Sequence, residues 1–133
     1  MKKYDVVILT ESRYVKPEII DDYVQNVLTE DGLIQNELEK LGLKVTRKDW
    51  NDKKFNWEDA KILLIRSTWD YFNRFEEFKT WIEEVKSKSK LINTYQQINW
   101  NCDKHYLKDL EHNNINIPAS VFIKKGSTTN LRD

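Results

Sequence analysis

The sequence contains few of the residues that cross-link a chain or form its tight turns. Among 133 residues there are three glycines, two prolines and one cysteine. A single cysteine, Cys102, excludes an internal disulfide framework and a multi-cysteine zinc site. No G-x-G-x-x-G or G-x-x-x-x-G-K-[ST] pattern occurs, which argues against a free-standing dinucleotide-binding or P-loop domain.

The sequence also lacks an excess of one charge and lacks long apolar runs. The 22 basic and 22 acidic side chains cancel, which argues against nucleic acid as a partner. The longest apolar runs, 6–9 and 62–65, have four residues, whereas a membrane-spanning helix needs about 20. The N-terminus shows no signal-peptide pattern. We therefore expect a cytoplasmic protein in a reducing compartment, with no membrane partner.

What is present is enough for one packed domain. Hydrophobic residues make up 39% of the chain, which supports a single core. Runs 6–9 and 62–65 are apolar on both faces, which is typical of strands in a parallel sheet covered by helices. Residues 43–50 alternate and predict a half-exposed edge strand. Between the first two strands, the pattern predicts a helix that begins at a Thr29 cap and ends at Gly42.

The second half of the chain continues the alternation of helices and strands. The predicted elements are a helix at 75–86, a strand at 91–92, a helical turn at 95–100, a helix at 103–112, a strand at 121–123 and the start of a helix at 127–131. Asn73 followed by Glu76 resembles a capping box for the first of these helices. Trp50, Trp57 and Trp100 are interpreted as packing residues.

This element order predicts an α/β fold with an open, mostly parallel sheet and helices on both faces, of the Rossmann-like (flavodoxin-like) type. Right-handed crossovers place the loops after the first and third strands at the same sheet edge. Ligands in such folds bind outside the carboxyl ends of the strands. The candidate site therefore comprises loops 10–14 and 66–71.

Loop 66–71 is the richer of the two. Arg66 directly follows a buried strand, and its planar guanidinium suits a carboxylate or phosphate. Thr68, Asp70 and Tyr71 add a hydroxyl, a carboxylate and a phenol. The alternative interpretation is that Asp70 caps the following helix while Trp69 packs over the sheet edge.

Lys104 is the candidate anion-binding residue in the last third of the chain. It falls in the first turn of the helix predicted at 103–112, where the helix dipole disfavours a cation unless an anion also binds. A solvated surface lysine is the alternative. His105 and His112 lack further ligands, and Cys102 lacks a fixed base, so no metal site and no catalytic residue are assigned.

Several segments together resemble a known family. Arg66-Ser67-Thr68-Trp69-Asp70-Tyr71, the Phe75–Phe78 segment with Trp81, and the Trp-Asn-x-Asp-Lys-x-Tyr-Leu run at 100–107 are similar to the motifs of a bacterial ATP-grasp family. That family resembles the prokaryotic glutathione synthetases and RimK-like ligases and includes the ligase that closes D-cycloserine.

The resemblance implies that residues 1–100 are a Rossmann-like pre-ATP-grasp domain and that 101–133 begin a truncated ATP-grasp central lobe. It implies an ATP-dependent carboxylate–amine ligase that works through an acyl-phosphate, with ATP and Mg²⁺ bound by the full-length protein. This chain would be inactive alone, because the missing C-terminal lobes clamp the nucleotide. Lys104 would approach the ATP phosphates. The substrate, a small carboxylate or amine, would be faced by Glu11, Arg13, Arg66, Thr68, Asp70 and Tyr71.

Two alternatives remain open at this stage. One is a stand-alone flavodoxin-like binding module without catalysis. The other is a protein-interaction module in which an apolar flank of Phe72, Phe75 and Trp81 pairs with a partner, and a homodimer belongs to the same set of expectations.

Overall fold

The computed structural model describes residues 2–124 and 126–128. The chain divides into two compact units, Met1–Tyr95 and Gln96–Asp133. The division predicted at residue 100 concerns the domains of a longer protein and stays a prediction. Among the described residues, no helix is both long enough and apolar enough to cross a membrane.

The first unit is a four-stranded sheet with the order β2-β1-β3-β4, in which each neighbouring pair is parallel. The strands are β1 (Tyr4–Thr10), β2 (Val45–Asp49), β3 (Ala60–Ser67) and β4 (Lys90–Ile92). The helices are α1 (Ser12–Val15), α2 (Asp22–Lys40) and α3 (Phe75–Val85), with short 3-10 turns at Trp57–Asp59 and Trp69–Phe72. The predicted α/β fold with a mostly parallel sheet is confirmed.

The continuous apolar runs form the centre of the sheet. Val7, Ile8 and Leu9 of β1 and Leu63 of β3 are fully buried, as expected for strands covered on both faces. The alternating segment forms β2 at the sheet edge, and all its residues are half-buried. The apolar runs therefore predicted both strands. Burial on both faces is confirmed for β1, whereas in β3 only Leu63 of the run 62–65 is buried and the other three residues are half-buried.

An aromatic cluster fills the space between the sheet and α3. Trp50 lies 5.3 Å from Phe78 and 5.7 Å from Trp81, measured between ring centroids, and Trp57 lies 5.6 Å from Trp81. These edge-on arrangements are favoured by the ring quadrupoles. The packing roles of Trp50 and Trp57 are confirmed. The predicted apolar flank is wrong at Trp81, whose exposed fraction is only 4%.

Helix α2 begins earlier than the sequence indicated. The Asp21 carboxylate accepts a hydrogen bond from the Val24 N–H at 2.8 Å and caps the helix. The predicted cap, Thr29, instead lies inside α2 and donates its hydroxyl to the Gln25 carbonyl. The apolar spacing of Leu33, Ile34, Leu38 and Leu41 predicts an inward stripe on this helix, and that prediction is partly wrong, since Leu33 is 61% exposed. Gly42 does adopt a positive φ of 80° after the helix, as predicted.

The start of α3 differs from the prediction as well. Asn73 ends the 3-10 turn at Trp69–Phe72, because its N–H bonds the Asp70 carbonyl. Arg74 occupies the N-cap position, and no side chain caps the helix there. The predicted capping box is therefore wrong, since the turn already uses the residue that would have formed it.

In the second unit, α4 (Tyr95–Asn101, which begins at the last residue of the first unit) is followed by α5 (Tyr106–His112). Residues 102–105 are a turn in which the Asp103 carboxylate accepts the His105 N–H at 2.9 Å, so α5 starts three residues later than predicted. Trp100 is 43% exposed, donates its indole N–H to Asp109 and lies 5.0 Å from Tyr106 between ring centroids, so it packs within the second unit while remaining partly exposed.

The strand predicted at 121–123 is absent from the described residues. Val121 is 82% exposed. Residues with high β propensity form a strand only where a neighbouring strand pairs with their backbone N–H and C=O groups. The helix start predicted at 127–131 lies mostly outside the described residues.

Candidate functional site

The site lies at the carboxyl ends of β1 and β3, where the strand order of the sheet reverses. From β1 the chain crosses to β2 on one side, and from β3 it crosses to β4 on the other. Such a switch point between neighbouring parallel strands is where open α/β sheets bind ligands. A cleft of about 400 Å³ opens there. It is lined by residues 11–13, which follow β1, and by Trp69, Asp70, Phe72 and Asn73, which follow β3.

Below the cleft, hydrogen bonds join the ends of the two strands. The Thr10 and Ser67 hydroxyl oxygens are 2.8 Å apart, and the Glu11 N–H donates to the Ser67 carbonyl at 3.0 Å. The register between β1 and β3 shifts between Leu9 and Thr10. These buried contacts fix the starting point of both cleft loops.

Glu11 is the buried carboxylate of the cleft, with an exposed fraction of 3%. One carboxylate oxygen accepts the Asp70 N–H at 2.7 Å. The other forms an ion pair with Arg13 Nε. Both contacts compensate the loss of hydration that a buried charge suffers. Glu11 therefore ties the loop after β1 to the loop after β3.

Asp70 is held from the side of the aromatic cluster. Its Oδ1 accepts the Trp50 indole N–H at 2.7 Å, and its Oδ2 pairs with Arg74 at 3.0 Å. The alternative interpretation, that Asp70 caps α3, is wrong because these two groups take up its carboxylate. Trp50 and Arg74 were missed as site residues. The indole N–H of a buried Trp needs an acceptor, and that need was the available signal.

Arg74 also shapes the electrostatics beside the cleft. It pairs with Glu77 at 2.8 Å and lies 4.8 Å above the centre of the Trp50 ring. The hydrogen bonds that Arg74 donates to the carboxylates of Glu77 and Asp70 raise the pKa of Arg74, and Arg74 in turn lowers the pKa of Glu77. At the end of β2, burial raises the pKa of Asp49, and the nearby charge of Asp70 adds to that shift.

The outer wall of the cleft is aromatic. Trp69 is 40% exposed and packs against Tyr14 and Tyr23, with centroid distances of 5.8 and 6.1 Å. Phe72 is 65% exposed. Tyr14 is fully buried, and burial raises its pKa. Its hydroxyl makes no hydrogen bond of ordinary geometry to a described residue, although the nearby Tyr23 contributes to the same pKa shift.

Arg66 does not line the cleft. It extends toward α2, where it lies 3.2 Å from Glu30 and 3.6 Å from Asp31. Asp31 is 1% exposed and also pairs with Arg47 of β2 at 2.8 Å. Asp31 and Val27 are the buried residues of α2, and their spacing of four places both on one helix face. That spacing was the signal available in the sequence, but a helix that begins at a Thr29 cap leaves Val27 outside it.

The other predicted site residues also lie away from the cleft lining. Thr68 is 4% exposed, and the Tyr71 ring packs 5.2 Å from Phe78. Lys104, in the second unit, is exposed in the turn before α5 and lies 5.6 Å from the centre of the Tyr106 ring. Because α5 starts at Tyr106, the argument from its dipole no longer applies to Lys104. The cleft thus brings together Glu11, Arg13 and Asp70 from the predicted set.

Over 2–124 and 126–128, no group of three or more His, Cys, Asp or Glu side chains is arranged to hold a metal ion. Magnesium in nucleotide sites is held through carboxylates together with the phosphates. No step that uses the nucleotide is therefore assigned to these residues.

Comparison with known proteins agrees with this fold. Residues 6–93 match the protein family described as "D-cycloserine synthetase DcsG, N-terminal domain". The chain belongs to this family. The matched range contains β1 to β4 and both loops of the cleft, so the whole candidate site lies within the residues that match the family.

Two relatives extend the comparison. The chain is 28% identical over 87 residues to the cycloserine biosynthesis protein DcsG of Streptomyces lavendulae. The aligned residues cover 65% of this chain and 29% of that protein. The crystal structure of D-cycloserine synthetase DcsG superposes with a TM-score of 0.68 at 21% identity, over 82% of this chain and 33% of that one. The chain therefore spans about a third of the length of these relatives.

Proposed function

We propose that this chain is the substrate-side N-terminal domain of an ATP-dependent carboxylate–amine ligase of the ATP-grasp type. The observation that carries the proposal is the cleft at the switch point, in which Glu11, Arg13 and Asp70 meet. It lies within the residues that match the DcsG N-terminal domain. The reaction would join a carboxylate to an amine through an acyl-phosphate, with conversion of ATP to ADP.

The proposal divides the work between this chain and the rest of a longer protein. The relatives are about three times as long as the part they share with this chain. ATP and Mg²⁺ would bind in that further part, as the resemblance to ATP-grasp ligases implies. This chain would hold the small-molecule substrate and would be inactive by itself. Lys104 would act at the boundary, toward the nucleotide.

The full-length protein provides the test. We expect ADP release from ATP and Mg²⁺ that depends on an added amino-acid or ureido substrate, and D-cycloserine belongs among the products to be assayed because the relatives are named for it. Substrates can first be ranked by ligand-dependent thermal shift. Release of AMP in place of ADP, or no substrate-dependent turnover, would contradict the proposal.

Two variants separate the two parts of the site. Asp70→Asn should raise the KM for the substrate and leave the KM for ATP unchanged, because Asp70 lies in the cleft. Lys104→Ala should raise the KM for ATP. Lys108→Ala is the matched control, because Lys108 is an exposed lysine of α5 whose ammonium lies over the Phe122 ring. An equal effect of Lys104→Ala and Lys108→Ala would remove Lys104 from the proposal.

A further inference from the structure

We infer that Arg13 is the group in the cleft that binds the ligand, and that it takes a monoanionic organic carboxylate. In this inference Glu11 does not touch the ligand but positions Arg13. The inference rests on the proposed function for the location of the ligand, and it adds the chemical class and the role of each residue.

The contacts of Arg13 leave one side of its guanidinium available. Its Nε pairs with the buried Glu11, and its central carbon lies 4.7 Å from the centre of the Tyr14 ring. Its two terminal nitrogens make no hydrogen bond to a described residue, and the side chain is 63% exposed. Two parallel N–H groups match the two oxygens of a carboxylate. Arg66 lacks this freedom, because Glu30 and Asp31 engage it.

A chain of hydrogen bonds holds Arg13 in this place. Trp50, which is fully buried, donates to the Asp70 carboxylate at 2.7 Å, and the Asp70 N–H donates to Glu11 at 2.7 Å. Glu11 then pairs with Arg13. The backbone N–H of Trp50 donates to the Thr10 carbonyl at 3.0 Å. The aromatic cluster thereby fixes the orientation of an otherwise exposed side chain, which lowers the entropy lost when it binds a ligand.

The surroundings favour an organic monoanion over phosphate. The charged residues that line the cleft are Glu11, Arg13 and Asp70, and Arg74 is shared between Asp70 and Glu77. A dianion would therefore meet two carboxylates with no excess of positive charge. The exposed faces of Trp69 and Phe72 offer apolar contact to a ligand body, and inorganic phosphate has none. An organic carboxylate carries only one negative charge, and an apolar or planar body attached to it can contact Trp69 and Phe72.

Titration of the 133-residue chain, followed by NMR, tests the ligand class. The probes are acetate, phenylacetate and inorganic phosphate at constant ionic strength, and the reporters are the Arg13 Nε–H and the Trp indole N–H signals. We expect saturable shifts with phenylacetate, an affinity at least threefold weaker for acetate, and no saturable binding of phosphate. Tighter binding of phosphate than of phenylacetate overturns the ligand class, and absence of saturable carboxylate binding overturns the inference.

Variants of two nearby cations test the receptor. Arg13→Ala should reduce phenylacetate affinity at least tenfold. Lys16→Ala removes an exposed positive charge three residues away and should leave the affinity within twofold. Arg13→Lys keeps the charge without the paired N–H groups, so we expect most of the affinity to be lost. Equal losses in Arg13→Ala and Lys16→Ala would mean that general charge attraction, and not Arg13, binds the anion.

Glu11→Gln tests the positioning role by the sign of its effect. A negative charge beside an anion site repels the anion, so its removal alone would tighten binding. Loss of the contact that orients Arg13 would weaken binding. We expect weakening of about threefold to tenfold, with the Trp50 indole signal unchanged as evidence that the fold is intact. Tighter binding overturns the positioning role. Trp50→Phe, which removes the indole donor together with part of a buried ring, should weaken binding in the same direction.

Neither titration uses ATP or the rest of the ligase. A failure of carboxylate binding, together with normal substrate-dependent ADP release by the full-length protein, would reject this inference alone. Carboxylate binding to Arg13 without any ATP-dependent turnover by the full-length protein would reject the proposed reaction and keep the receptor.

Discussion

At the scale of single residues, the buried carboxylates Glu11 and Asp31 hold different parts of the first unit together. Glu11 joins the loops that follow β1 and β3. Asp31 joins α2 to the sheet through Arg47 and Arg66. Removing one partner of a buried ion pair leaves the other charge without compensation, which destabilises more than the pair itself stabilises.

Substitution of Asp31 should therefore destabilise the chain. We expect Asp31→Asn to lower the free energy of unfolding by about 2–4 kcal/mol, at the lower end because Arg47 and Arg66 are 16% and 34% exposed. Denaturant unfolding of the 133-residue chain measures this. Glu37→Gln is the control on the same helix, because the Glu37–Lys40 pair is about 70% exposed and should matter by less than about 1 kcal/mol.

Asp49 and Glu77 should show opposite dependences of stability on pH. Burial raises the pKa of Asp49 above its usual 3.8, so the folded state binds more protons than the unfolded state between the two values. Stability then falls as the pH rises through that interval. Asp49→Asn, which removes this titration, should be more stable than the parent at pH 7, and the difference should disappear below about pH 3.8.

Glu77 provides the opposite case in the same experiment. Arg74 lowers the pKa of Glu77 below its usual 4.5, so its stabilising effect is present above pH 4.5 and is lost as the pH falls through the lowered pKa. Glu77→Gln should be less stable than the parent at pH 7 and equal to it in acid. Denaturant midpoints measured from pH 3 to pH 7 give both differences, and the same sign in both variants would contradict the assignments.

At the scale of elements, local patterns predicted the strands better than the helix ends. An apolar run such as 62–65 has one stable location, the sheet interior. A sequence typical of a helix N-terminus, such as Thr29-Glu30-Asp31, also occurs inside helices. Only tertiary packing decides whether the helix begins there or at Asp21. Burial of Val27 and Asp31 against the sheet extends α2 through the predicted cap. The strand predicted at 121–123 failed because β propensity does not specify a neighbouring strand.

The position of the α2 start can be tested with one pair of variants. Asp21→Ala should lower the free energy of unfolding by about 1 kcal/mol, since it removes the cap to the Val24 N–H. Thr29→Ala should be neutral or slightly stabilising, by less than about 0.7 kcal/mol, because alanine is the better helix former at an interior position. Thermal or denaturant unfolding distinguishes the two. A larger loss at Thr29 than at Asp21 would place the helix start where the sequence alone suggested.

The candidate site was predictable in position but not in side-chain roles. The strand order and the right-handed crossovers suffice to bring loops 10–14 and 66–71 together. Which side chains face the cleft depends on competing partners that lie far apart in the sequence. Trp50 and Arg74 engage Asp70, and Asp31 draws Arg66 toward α2. No local motif encodes such competition, so Arg66 looked like the best anion ligand and Arg13 like a weaker one.

At the scale of the whole molecule, ligand binding and nucleotide chemistry should be separable. The cleft and its supporting hydrogen bonds lie entirely within Met1–Tyr95, whereas the described residues offer no metal cluster. We expect the purified 133-residue chain to release no ADP from ATP and Mg²⁺ above a no-protein control. Under the same conditions it should retain carboxylate binding at Arg13. A coupled ADP assay beside the NMR titration measures both properties on one sample.

The full-length protein is the positive control for this separation, since the proposed function requires it to release ADP when its substrate is present. ATPase activity that co-elutes with the 133-residue chain through two chromatographic steps would place a nucleotide site within these residues. That result would contradict the separation of ligand binding from nucleotide chemistry. Arg13→Ala sharpens the comparison, because it should abolish carboxylate binding by the short chain and also raise the substrate KM of the full-length protein. Agreement between these two losses would show that the same cleft serves the isolated domain and the longer protein.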